Sequence, residues 1–264
     1  HALTNVGSAR SAFGDAANDE LRRGLSLALD LGLNDDVARA YANLSYVSLE
    51  HYQLADARQF IEAGIAYTAE RDLLAMELYI RSLKSQLLLI QGQWQQAADL
   101  AISSASHPRA NAQARIFSLA VVGLVAARRG EPADAALDEA LRLAEHSGEL
   151  MRRCPVRAAR AEAAWLAGDP ELAAAEAGYD YDAALLTGER WLAGRIGIWL
   201  HRSGHPVKEA ALLAPPYALE IAGKPLEAFA IWRARGAGLE AARALMATGD
   251  AEALLEALSC FDRL

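Results

Sequence analysis

The chain has 264 residues, of which 53% are hydrophobic and only 7% aromatic. This composition, rich in alanine and leucine and without β-branched runs bounded by turns, favours packed helices over strands. The net charge of −8 repels a phosphate backbone, so we expect no direct nucleic acid contact by this segment. The longest apolar run, residues 116–127, is too short to span a bilayer and no signal peptide opens the chain, so we expect no membrane association.

Motifs for catalysis, metal binding or cofactor binding are not visible. The two cysteines, Cys154 and Cys260, have no CxxC or metal-ligand spacing, which favours a reduced, cytoplasmic compartment. The six histidines form no HExxH or H-x3-H pair, and no GxSxG or GxxxxGK[ST] segment occurs. We therefore expect no catalytic residue, no metal and no cofactor, and a protein that is not an enzyme.

The predicted elements are helices throughout. The first, over residues 15–31, would be the second helix of an incomplete hairpin whose partner lies in residues 1–14 or is missing. Hairpins then follow with short turns. Their predicted helices are 34–51 with 54–70, 74–91 with 94–106, 110–129 with 132–146, 151–167 with 170–186, 188–203 with 206–213, 217–222 with 225–235, and 238–248 with 250–263.

A turn motif of the form G-x-[W/P]-x-x-A recurs along the chain and indicates a repeat. Glycine adopts the left-handed conformation that ends a helix, and a proline two residues later can open the next one. The motif begins at Gly92, Gly130, Gly168 and Gly223, at Gly204 with its alanine one place late, and at Tyr52 with tyrosine in the glycine position. The turn positions 52, 92, 130, 168 and 204 give steps of 40, 38, 38 and 36 residues.

A row of small residues supports the same register. Seven residues before each turn, small side chains would let the second helix of a hairpin pack closely against the first. The row consists of Ser45, Ser85, Gly123, Ala161 and Gly197. This hairpin with its small–turn–Ala spacing resembles the tetratricopeptide repeat, whose period is about 34 residues. We therefore predict a single array over residues 1–264, a right-handed α-solenoid of six to seven tetratricopeptide-like hairpins with somewhat longer helices.

Several segments give a more specific resemblance. They look like the tetratricopeptide-like region of large LuxR-type bacterial transcriptional regulators that carry an N-terminal ATPase module. The similar segments are 40–44, 128–130, 161–169, 191–194, 216–223, 228–236, 240–245, 249–254 and 261–264. The resemblance covers roughly residues 15–264 and implies an ATPase, a helical sensor array and a DNA-binding helix-turn-helix, of which only the array is present. Because His1 is not a natural start residue, we expect a piece of a longer chain.

The repeat register also predicts a binding surface, because the first helices of stacked hairpins line a concave face. Thirteen residues before the turns stand Arg39, Tyr79, Phe117, Pro155 and Trp191, and six residues before them stand Tyr46, Gln86, Leu124, Glu162 and Ile198. Packing between repeats is the alternative interpretation for Phe117, Leu124, Ile198 and Trp191. The predicted groove residues are Arg39, Tyr46, Tyr79, Gln86, Phe117, Glu162 and Trp191.

The function expected from these observations and from the resemblance is that of a sensor and scaffold module. It would bind a protein partner or a small effector in the groove and control attached ATPase and DNA-binding modules. Two alternatives stay open. One is a free-standing tetratricopeptide adaptor for protein–protein interaction, and the other is a regulatory segment of an ATPase-linked nucleotide cyclase.

Overall fold

The computed structural model describes residues 16–261, and in this range the chain is all-helical, with no strand. Fourteen α-helices and one short 3-10 helix, Ala210–Leu212, follow one another. The α-helices are α1 (Ala16–Asp30), α2 (Asn34–Glu50), α3 (Leu54–Ala69), α4 (Leu74–Ile90), α5 (Trp94–Ala105), α6 (Ala112–Arg128), α7 (Asp134–Ser147), α8 (Leu150–Leu166), α9 (Pro170–Thr187), α10 (Arg190–Arg202), α11 (Pro215–Ile221), α12 (Pro225–Ala234), α13 (Gly238–Met246) and α14 (Ala251–Phe261).

Consecutive helices pack as hairpins, and the hairpins stack. Helix α2 packs on α3, α4 on α5, α6 on α7 and α8 on α9. The first helix of each hairpin also packs on the first helix of the next, so that α2, α4, α6, α8 and α10 form one continuous layer. This is the packing of an α-helical repeat fold, as the sequence predicts. The right-handed winding stays a prediction, and residues 1–14, the possible partner of the first helix, lie outside the described residues.

The turns have the backbone that the motif predicts. Gly92 has φ of 78°, its N–H bonds to the carbonyl of Leu89, and the N–H of Gln93 bonds five residues back to Leu88. This pair of bonds closes a helix end around a left-handed residue. Tyr52 adopts the same conformation with φ of 53°, although it carries a side chain. Glycine is the usual residue here because a Cβ in this region costs about 1 kcal/mol.

The row of small residues is buried as predicted. Ser45, Ser85 and Ala161 have no exposed surface. At Gly123 on α6, a Cβ would come within 2.5 Å of the Leu137 side chain on α7, so only glycine allows this approach of the two helices. None of the helices in the range 16–261 is both long and apolar enough to cross a membrane.

The structure corrects one predicted helix, 206–213. This segment is an irregular connection that contains only the 3-10 turn, and Glu209 has a left-handed φ of 49°. Two consecutive prolines follow it, and a residue before proline is disfavoured in the helical region. The segment is fixed instead by side chains: the Tyr181 hydroxyl donates to the carbonyl of Lys208, and Leu213 is fully buried.

Candidate functional site

The array curves until its first hairpin touches its later helices. At the C-terminal end of α2, the carboxylate of Glu50 lies 3.3 Å from the guanidinium of Arg195 on α10. The turn residue Tyr52 packs its ring against Trp232 of α12, with 4.8 Å between ring centroids. Arg235, just beyond α12, donates to the carbonyl of His51. Residues separated by more than a hundred positions therefore enclose the concave side.

A cavity remains at the centre of this closed arrangement. The space between its walls is about 860 Å³ with the opening to solvent included, and the centre of a water-sized molecule can move through about 110 Å³ of it. The walls come from α4, α6, α8, α10, α11 and α13, together with Tyr52. Most of the wall is apolar, as is common for sites of small molecules. Leu89, Phe117, Ala120, Pro155, Ile198 and Leu239 are among the apolar residues that line it.

One side of the cavity wall carries a buried ion-pair network. Both carboxylate oxygens of Glu162 accept from Arg128, at 2.6 and 3.2 Å, and the Nη2 of Arg243 donates to the same carboxylate at 2.5 Å. Arg243 also donates to Glu240, and so does Arg202 at 3.1 Å. Buried charges of this kind are tolerated only when they are paired and hydrogen-bonded.

The network sets the ionisation of its central carboxyl group. Burial alone would raise the pKa of Glu162, because a charge is disfavoured away from water. The positive charges of Arg128 and Arg243 outweigh burial and hold the pKa of this carboxyl well below its usual range. Glu162 is therefore an anion at neutral pH. Its surroundings hold it in this ionised state and do not favour the transfer of a proton to or from it.

Four side chains of the cavity wall keep one N–H group without a partner in the protein. These atoms are the Nε2 of Gln86, the Nη1 of Arg128, the Nε of Arg195 and the Nη1 of Arg202. Each is shielded from solvent, and a buried donor that makes no hydrogen bond costs about 1–3 kcal/mol. All four are donors. The solvent-shielded atoms of this wall that lack a partner are therefore all hydrogen-bond donors.

The structure places the seven predicted groove residues in different surroundings. Gln86, Phe117 and Glu162 come together on the cavity wall. Tyr46 and Tyr79 are buried beside it, with ring centroids 5.9 and 6.1 Å from that of Phe117. Trp191 is half-buried in the cluster with Tyr52, and Arg39 is exposed. The three other residues of the predicted rows, Leu124, Pro155 and Ile198, also line the cavity.

Sequence reasoning missed the arginines of the wall, although a signal was present. Two residues before each turn stand Glu50, Ile90, Arg128, Leu166 and Arg202. Charged side chains at this register lie next to the closing turn, and Arg128 and Arg202 reach the cavity. Arg195 sits nine residues before its turn, where the other repeats carry no arginine, so no repeated pattern marks it.

Nucleophilic chemistry finds little support among the described residues. Cys154 is fully buried, and burial, together with the negative charges of Asp180 and Glu50, raises the pKa of its thiol. A thiol in this state is a poor nucleophile at neutral pH. Within residues 16–261, no group of three or more His, Cys, Asp or Glu side chains could hold a metal ion.

No protein-family model matches the chain, and no curated protein is similar to it.

Proposed function

We propose that the chain is the ligand-sensing array of a LuxR-type transcriptional regulator, a right-handed tetratricopeptide-like solenoid that binds a small effector in its central cavity. It would couple the occupancy of that cavity to the ATPase and DNA-binding modules of the longer regulator. The regulator assignment is supported by the sequence resemblance, and the sensing role by the cavity.

The observation that carries the proposal is the position of the cavity between distant parts of the array. Tyr52 belongs to the first hairpin, Glu162 to the fourth and Leu239 to the last, and all three line it. An occupant that contacts all three binds one curvature of the array better than another. Differential affinity of this kind is what converts binding into a change of conformation.

A small effector is favoured over a peptide because aromatic rings occupy the concave side next to the cavity. Tyr46, Tyr79 and Phe117 are each less than a tenth exposed. A peptide laid along α2, α4 and α6 would have to displace these rings. A compact molecule in the cavity displaces nothing.

Chromatin immunoprecipitation from the source cells, with an antibody raised against this chain, tests the regulator role. We expect enrichment of a discrete set of promoters. Efficient recovery of the protein without promoter enrichment would overturn the proposal. That result would leave the adaptor, or the regulatory segment of a nucleotide cyclase.

A matched pair of variants on α6 then tests the role of the cavity in the same cells. Ala120 lines the cavity, whereas Ala112 lies at the exposed start of the helix. We expect Ala120→Leu to change transcription from the enriched promoters and Ala112→Leu to leave it unchanged. Equal transcription from these promoters in the two variants would show that the cavity has no part in signalling.

A further inference from the structure

The chemistry of the cavity wall narrows the class of ligand that it can hold. We propose that the cavity takes an uncharged, compact molecule with an apolar ring body and a carbonyl group that accepts hydrogen bonds from the arginine and glutamine N–H groups. This inference deepens the proposed sensing function and rests on the same cavity. It does not depend on which output modules are attached.

The charge balance around the cavity argues for an uncharged ligand. The guanidinium groups of Arg128, Arg195, Arg202 and Arg243 face four carboxylates, those of Glu50, Glu162, Glu220 and Glu240. Each cation already has at least one carboxylate partner. An added anion would leave one buried negative charge in excess, and burying an uncompensated charge is costly.

The unpartnered atoms of the wall are donors, which argues for hydrogen-bond acceptors on the ligand. Every solvent-shielded side-chain N or O atom of the wall that lacks a partner is an N–H donor, and none is a carboxylate oxygen. These donors are shielded from solvent, so a side chain must turn slightly toward the cavity to reach an occupant. The side chains of Arg128 and Arg202 are nine-tenths buried, and the hydrogen bond gained favours this turn.

The remaining wall argues for an apolar body. Phe117 and Trp199 provide aromatic surface, and Ala120, Ala158 and Ala159 leave room because their side chains are small. Dispersion and burial of apolar area favour a ring system in such a space. A polyhydroxylated molecule would instead bring several donors to a wall whose shielded, unpartnered atoms are themselves donors.

Equilibrium dialysis of the purified chain against three naphthalene probes of similar size tests the ligand class. The probes are 2-acetylnaphthalene, which has a carbonyl acceptor, 2-ethylnaphthalene, which has none, and 2-naphthoate, which is an anion. We expect the ketone to bind about tenfold more tightly than either of the others, the factor that about 1.4 kcal/mol of hydrogen bonding gives. Tightest binding of the naphthoate, equal binding of ketone and hydrocarbon, or no binding would each overturn the proposal.

Variants show whether the probes occupy this cavity. Gln86→Leu removes one donor at nearly constant size, so the preference for the ketone over the hydrocarbon should shrink, whereas Gln96→Leu on the exposed surface of α5 should preserve it.

Ala120→Leu should abolish binding of all three probes, and Ala112→Leu should not. Ala158→Leu fills the cavity from α8 instead, and thermal melting followed by circular dichroism shows which filled variants are folded. Full binding by a folded, filled variant would contradict the assignment.

The two proposals can fail separately. Preferential binding of the ketone without promoter enrichment in cells would support the ligand class and contradict the regulator role. Promoter enrichment without a preference for the ketone would support the regulator role and contradict the ligand class.

Discussion

The hydroxyl of Tyr46 on α2 donates a hydrogen bond of 3.1 Å to the backbone carbonyl of Met151 on α8. This carbonyl would normally accept from the N–H four residues further on, but that residue is Pro155, which has no N–H. The side chain of the first hairpin thus completes the hydrogen bonding of a helix three hairpins away. A buried carbonyl without a donor costs free energy, so the contact links the curvature of the array to the sequence of α8.

We expect Tyr46→Phe to lower the free energy of unfolding by about 1–2 kcal/mol, because the ring stays and the donor is lost. In a Pro155→Ala background the new backbone N–H satisfies Met151, and the effect of Tyr46→Phe should nearly disappear. Urea unfolding of the four proteins of this double-mutant cycle gives the coupling energy. Additive effects would mean that Tyr46 does not compensate for the proline.

Substitution by alanine should have opposite effects on stability at two glycines that lie within helices. At Gly123 a Cβ would meet Leu137 at 2.5 Å, whereas at Gly178 the nearest atom, on Leu200, is 3.7 Å away. We expect Gly123→Ala to destabilise by about 1–3 kcal/mol because it overpacks the interface of α6 and α7. Gly178→Ala serves as the control and should stabilise by up to about 1 kcal/mol, since alanine is the better helix former. Thermal melts that move in the same direction for both would contradict the packing argument.

The sequence predicts the hairpins well because their signals are local. The turn glycines, the small residue before each turn and the proline after it all act within a few residues, and the predicted and observed helix ends differ by about one or two residues. Tyr52 could be placed in the glycine position because the spacing required a turn there. The helix predicted over residues 206–213 is wrong because the turn motif at Gly204 indicates a following helix, whereas the segment leads into Pro215 and Pro216 and forms only a 3-10 turn.

The candidate site was predictable only in part. The repeat register places Gln86, Phe117 and Glu162 on one side of the array, since equivalent positions of stacked hairpins face the same side, and all three line the cavity. It could not place Arg243 beside Glu162, because that contact depends on the curvature summed over several repeats. Periodicity alone also could not distinguish a solvent-filled groove from one in which Tyr46 is buried.

The buried position of Glu162 gives a prediction for acid conditions. Glu162→Gln removes the charge that Arg128 and Arg243 share, and we expect a loss of about 3 kcal/mol at pH 7. Because the pKa of Glu162 is lowered on folding, its charge stabilises the native state above the unfolded pKa, near 4.5, and this contribution is lost as the pH falls. The difference between wild type and variant in urea unfolding should therefore narrow below about pH 4.5.

The control for this prediction is Asp182→Asn. Asp182 pairs with Lys208 at 3.0 Å, but both side chains are about two-thirds or more exposed. An exposed pair contributes less than about 1 kcal/mol, so this variant should unfold nearly as the wild type does at neutral pH. A loss as large as that of Glu162→Gln would show that burial does not set the strength of these ion pairs.

Glu189, at the start of α10, should show the opposite pH dependence. Burial, together with the negative charge of Glu50, raises the pKa of Glu189 to about 7. The folded chain therefore retains this proton up to about pH 7, while the unfolded chain releases it near pH 4.5, so the stabilisation is complete below 4.5 and is lost as the pH rises through 7. We expect Glu189→Gln to match the wild type near pH 4.5 and to exceed its unfolding free energy by about 1 kcal/mol at pH 8.

Glu131→Gln, an exposed substitution in the turn after α6, is the control and should show no such gain at pH 8. A Glu189→Gln variant that is less stable than the wild type at pH 8 would mean that the ionised carboxylate is stabilised at this helix start.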